Sequence, residues 1–74
     1  MGAGLEVDVA IARRLVKRSP RQGILGYLYT VGPATPGKLA RELSIPIQTV
    51  LVLLRDEEHF GTVERGWDAR WCFL

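Results

Sequence analysis

The 74-residue chain has one cysteine, Cys72, and one histidine, His59. A single cysteine excludes an internal disulfide and any multi-cysteine zinc or iron–sulfur site, leaves an intermolecular bridge open, and fits a reducing compartment. His59 stands beside a helix end with no serine, cysteine or carboxylate at a catalytic spacing, and neither a P-loop nor a dinucleotide-binding glycine motif occurs. No enzyme activity, metal site or cofactor is therefore expected. No apolar run approaches the roughly 18 residues of a membrane span, and the start has neither a basic n-region nor a signal-peptide core. Glu6 occupies the position where N-myristoylation after Met1-Gly2 would need Ser or Thr. The expected location is cytoplasmic, without a membrane partner.

What is present is an ordinary globular composition, 47% hydrophobic and 24% charged, in a chain long enough for one domain with a small core. A small core makes oligomerisation or a partner a natural expectation. The net charge is only +2, but Arg13, Arg14, Lys17, Arg18 and Arg21 make up half of the ten basic residues, while Asp56, Glu57 and Glu58 are consecutive acids. The distribution of charge carries more information than its sum.

Periodicity divides the chain. From Leu5 to Ser19, Leu5, Val9, Ala12, Leu15 and Val16 recur at helical spacing, with Arg13, Arg14, Lys17 and Arg18 on the opposite side. This segment, 1–20, reads as an extra amphipathic helix with a basic outer stripe. Pro20 ends it, because proline disfavours the helical conformation in the preceding residue, and then opens the next helix. The second helix, about Arg21 to Val31, carries Ile24, Leu25, Leu28 and Val31 as its core stripe with Tyr27 and Tyr29 to its sides. Gly23 and Gly26 each cost about 1 kcal/mol of helix propensity against alanine, which calls for a compensating close helix approach.

Thr35-Pro36 starts a third helix, Pro36 to Leu43, by the usual N-cap and first-turn preferences. Leu39, Ala40 and Leu43 form its buried side. Ser44-Ile45 is a turn, and a fourth helix runs from Pro46 to about Phe60, with Gly61 as a left-handed C-cap. Thr62–Arg65 and Arg70–Leu74 then suit two strands around the turn formers Gly66-Trp67-Asp68-Ala69, with Val63, Trp71 and Phe73 facing the helices.

On the fourth helix, Val50, Leu53 and Leu54 set the buried direction, with Ile47 and Leu51 on its flank, and Gln48, Thr49, Val52, Arg55 and Asp56 on the opposite arc. Ile47, Leu51 and Val52 form an apolar excess that is most simply core. If they face outward instead, they form a patch of the kind that marks a protein interface.

The stretch Leu39 to Arg65, LARELSIPIQTVLVLLRDEEHFGTVER, resembles the MarR and ArsR families of prokaryotic DNA-binding regulators, and the likeness of pattern extends from Gln22 through the C-terminus. The resemblance implies a mainly α fold with a small β-hairpin: a winged helix-turn-helix of three core helices plus a wing over residues 21–74, preceded by the extra N-terminal helix. It also implies a small transcriptional regulator that binds double-stranded DNA, with the fourth helix in the major groove. Gln48, Thr49, Val52 and Arg55 would then meet bases. Glutamine can bond adenine at two points, and Val52 or the Thr49 methyl can touch a thymine methyl. Arg13, Arg14, Lys17, Arg18, Lys38, Arg65, Trp67 and Arg70 would hold phosphates or form the wing contact.

MarR-like proteins use extra helices to build a symmetric dimer, so a homodimer is expected. Two departures stand out. Leu51 and Val52 replace the polar or basic residues usual on this face, which makes an adaptor that binds another protein the alternative reading. Glu57 occupies the place of a buried leucine, so either it is paired or the helix is slightly rotated.

Overall fold

The computed structural model describes the backbone of residues 2–74 and the side chains of residues 9–74; Leu5, expected in the first apolar stripe, lies outside the described side chains. Four helices and a two-stranded hairpin follow in order: α1 (Gly2–Arg18), α2 (Pro20–Thr30), α3 (Pro36–Leu43), α4 (Ile47–Phe60), β1 (Val63–Arg65) and β2 (Trp71–Phe73).

Local chemistry sets most of these boundaries. Ser19 adopts an extended conformation before Pro20, so α1 stops and α2 begins within one residue. The Thr35 hydroxyl accepts from the Lys38 backbone N–H at 3.2 Å and caps α3. Ser44 takes a left-handed conformation, φ 54, and turns the chain from α3 towards α4. Gly61, at φ 84, closes α4 where a side chain would be strained.

α1 and α2 form an antiparallel pair whose contact depends on two glycines. A Cβ at Gly23 would overlap the Val16 side chain and come within 3.1 Å of the Val16 Cα, and one at Gly26 would meet Leu15 Cδ1 at 2.5 Å. The helices therefore approach more closely than any larger residue would allow, which accounts for glycine in a helix interior.

One core unites the elements: Ala12 from α1, Ile24, Tyr27 and Leu28 from α2, Leu39 and Leu43 from α3, Ile45 from the turn, Val50 and Leu54 from α4, and Val63 and Trp71 from the hairpin. Tyr27, expected beside the stripe, is instead buried within it, while Leu25 and Val31 are only half-buried. The aromatic ring fills the space where α2 faces the rest of the bundle. Burial raises the Tyr27 phenol above its ordinary pKa, with the nearby Glu42 charge adding to the effect.

The strands pair antiparallel with Val63 opposite Phe73, Glu64 opposite Cys72 and Arg65 opposite Trp71. They are shorter than expected at both outer ends, although the Leu74 N–H still reaches the Thr62 carbonyl at 2.9 Å. On the other side of β2, Trp71 exchanges two backbone hydrogen bonds with Ala34, at 2.8 and 3.0 Å. This bridge fastens the hairpin to the segment that precedes α3. Phe73 was expected to face the helices and does so only in part. It remains 40% exposed, with its ring edge-on to Tyr29 of α2 at 5.4 Å.

Candidate functional site

The two halves of α4 have different surroundings. In the C-terminal half, Glu57 is buried, with only 7% of its side chain exposed. Arg21 donates to one Glu57 carboxylate oxygen at 2.8 Å and to Asp56, while the Thr62 hydroxyl donates to the other Glu57 oxygen. The first cause of the raised Arg21 pKa is its hydrogen bond to Asp56. Arg21 thus leaves the basic cluster to neutralise the acids of α4, and of the two alternatives for Glu57, pairing or a rotated helix, the pairing is present.

In the N-terminal half the outward arc is bare. Gln48 and Arg55 are exposed, and so are Ile47 at 41%, Leu51 at 36% and Val52 at 66%. The apolar excess is therefore not core. Thr49 and Asp56, expected outward, are half-buried, and Leu53, expected in the core, is half-buried as well. The buried line of α4 runs through Val50, Leu54 and Glu57, and at about 100° per residue the side opposite it falls near Val52 and His59. Its pairing with Arg21 lets Glu57 share this buried line with the two aliphatic residues.

The hairpin that follows α4 has a tip fixed by its own side chains. Asp68 accepts from the Arg70 backbone N–H at 3.2 Å and from its guanidinium at 2.7 Å, and Ala69 adopts φ 66 to make the turn. The Arg70 hydrogen bonds hold the Asp68 carboxyl below its ordinary pKa. This fixed turn projects Trp67 entirely into solvent, 99% exposed, with Arg65 exposed next to it.

The remaining cations divide by pairing. Arg13 donates through Nε to the Glu42 carbonyl at 2.8 Å and approaches the Glu42 carboxylate at 3.5 Å, tying α1 to the end of α3. Arg14, Lys17 and Arg18 of α1, Lys38 and Arg41 of α3, Arg55 of α4 and Arg65 of β1 are exposed and form no ion pair among the described residues. No group of three or more His, Cys, Asp or Glu side chains converges as a metal set among the described residues, and no helix there is long and apolar enough to cross a membrane.

Comparison with known proteins gives no match to a family model, a curated protein or a solved structure. The reading of this site therefore rests on its geometry and chemistry alone.

Proposed function

We propose that the chain is a winged helix-turn-helix module that binds double-stranded DNA and acts as a small transcriptional regulator. The observation that carries this reading is the uncovered arc of α4, where Gln48 and Arg55 are exposed, followed in the chain by a hairpin that exposes Arg65 and Trp67. The order α3, turn, α4, hairpin follows the layout of a winged helix, and the Ala34–Trp71 bridge fastens the hairpin to the segment before α3. In this reading α4 enters the major groove, where an α-helix fits and base edges are distinguishable. Lys38, Arg55 and Arg65, with Arg14, Lys17 and Arg18 of α1, neutralise phosphates. Two copies related by a two-fold axis would place their α4 helices on half-sites one turn of DNA apart.

Fluorescence anisotropy with a labelled mixed-sequence duplex at 50 to 200 mM salt tests the reading. Neutralising about four phosphates lowers affinity roughly a hundredfold over that range. Replacing Arg14, Lys17 and Arg18 by alanine should weaken binding and flatten the salt slope. Absence of binding at the lowest salt overturns the proposal. One observation, the exposure of Ile47, Leu51 and Val52, favours the second reading, a winged-helix adaptor for another protein, and that outcome would leave it standing.

A further inference from the structure

Among the paired arginines, Arg13 keeps most of its positive charge. Its Nε donates to the Glu42 backbone carbonyl at 2.8 Å, while the Glu42 carboxylate stands off at 3.5 Å from Nη2. Arg21 and Arg70 each have a carboxylate oxygen within 2.8 Å. A neutral carbonyl orients a guanidinium without cancelling its charge. Both Arg13 contacts use the edge of the planar group formed by Nε and Nη2, so the fork between Nη1 and Nη2 has no hydrogen-bond partner among the described residues. The side chain is 59% exposed. Such a fork can hold two oxygens of one phosphate.

The same bond joins two basic helices. Residues four apart on a helix are neighbours, about 5 to 6 Å apart at Cβ, which sets Lys17 of α1 near Arg13 and Lys38 of α3 near Glu42. Arg14 and Arg41 adjoin the bonded pair in sequence. All four are exposed and form no ion pair among the described residues. Along α1 from Val9 to Lys17 and along all of α3, Glu42 is the only acid. Cations spread over two helices suit a row of phosphates better than one small anion, and duplex DNA presents a negative charge about every 1.7 Å of its axis.

We propose that the junction of α1 and α3 is a phosphodiester-binding site for duplex DNA, with Arg13 as its pre-oriented ligand and Lys17, Lys38 and Arg41 as further phosphate contacts. The proposal rests on the duplex-DNA reading above. It adds Arg13 and Arg41 to the contacts named there and makes the Arg13 bond to Glu42 the element that positions them.

The test follows the arginine Nε–H signals of the ¹⁵N-labelled chain by NMR while a mixed-sequence 20-bp duplex is added at 50 mM salt. The signal that disappears in Arg13→Lys identifies Arg13, and in the unaltered chain the duplex should shift it. In anisotropy titrations Arg13→Ala and the exposed Arg41→Ala should each lower the slope of log affinity against log salt by about 1. Glu42→Gln keeps the orienting carbonyl and removes the one negative charge, so it should tighten binding about twofold to fivefold, the worth of one exposed charge pair.

Backbone shifts in α4 with no movement of the Arg13 signal overturn the junction site and leave DNA binding intact. Salt slopes unchanged in both alanine variants overturn it as well, as does a shift produced by inorganic phosphate but not by the duplex. No binding of the duplex at 50 mM salt overturns both readings.

Discussion

The contacts that α2 makes with α1 and with the C-terminal half of α4 are closed, whereas the outward arc of α4 and the hairpin tip are open. On the closed side even the polar groups are matched: Arg21 satisfies Glu57 and Asp56, Thr62 completes the Glu57 carboxylate, and Gly23 lets Val16 sit directly on the α2 backbone. At the open positions Val52 is 66% and Trp67 99% exposed, one on a helix closed by Gly61 and the other on a turn fixed by Asp68 and Arg70. The contrast separates two kinds of residue. Those that define the shape are matched by other side chains, and the others are exposed on elements whose position is set elsewhere.

The comparison breaks most sharply at Glu57. Glu57→Ala leaves Arg21 with a single partner and opens a void beside Leu54, and should destabilise the fold by about 2 kcal/mol, seen as a drop of roughly 8 to 16 °C in Tm by circular dichroism. Joint replacement by Arg21→Met and Glu57→Leu should restore most of that loss, because an apolar pair needs no desolvation of charge. An unchanged Tm for Glu57→Ala would mean that the ion pair does not fix α4.

The two glycines of the α1–α2 contact allow a finer test. Gly23→Ala forces a Cβ against the Val16 backbone and should cost about 1 to 2 kcal/mol in chemical denaturation. Gly26→Ala meets only the flexible end of Leu15, and the helix propensity it gains, about 1 kcal/mol, offsets the crowding. Equal effects at the two positions would show that α1 does not approach α2 as closely as described.

The smallest effect concerns Tyr27. Burial raises its folded-state pKa above the unfolded value of 10.0, so its stabilising contribution is complete below pH 10 and is lost as pH rises from there through the folded-state value. Denaturation followed between pH 8 and 11 should show stability falling at the alkaline end. Tyr27→Phe should flatten that limb, and a limb unaltered by the substitution would assign it to another group.

Features governed by neighbours in the chain were legible from residue order. The Ser19-Pro20 break, the Thr35 cap with Pro36, the Ser44 turn and the Gly61 terminus each follow from steric and hydrogen-bonding preferences within a few residues, and the helices end where those residues stand. The close approach at Gly23 and Gly26 was legible as a propensity cost that required compensation. Tyr27 was misplaced because an aromatic ring at the edge of a stripe can turn either way, and its direction depends on the space left by the other helices. The outward arc of α4 was correct in Gln48, Val52 and Arg55 but included Thr49 and Asp56, because the helix wheel was oriented from aliphatic residues and a buried glutamate carries no hydrophobic signal. The fixed hairpin tip was visible only as a run of turn formers.

By itself the sequence determined where the helices start and stop, that two of them approach closely through glycine, and that basic and acidic residues lie in separate stretches, since these depend on interactions between residues near one another along the chain. Only the tertiary structure decided that Arg21 serves the acids of α4 rather than the basic cluster, that Glu57 is buried, and that Ile47, Leu51 and Val52 face water. The Arg21 contacts join groups some 35 residues apart, and burial is a property of the packed whole: the same aliphatic side chain is core or surface according to what else has already filled the space beside it.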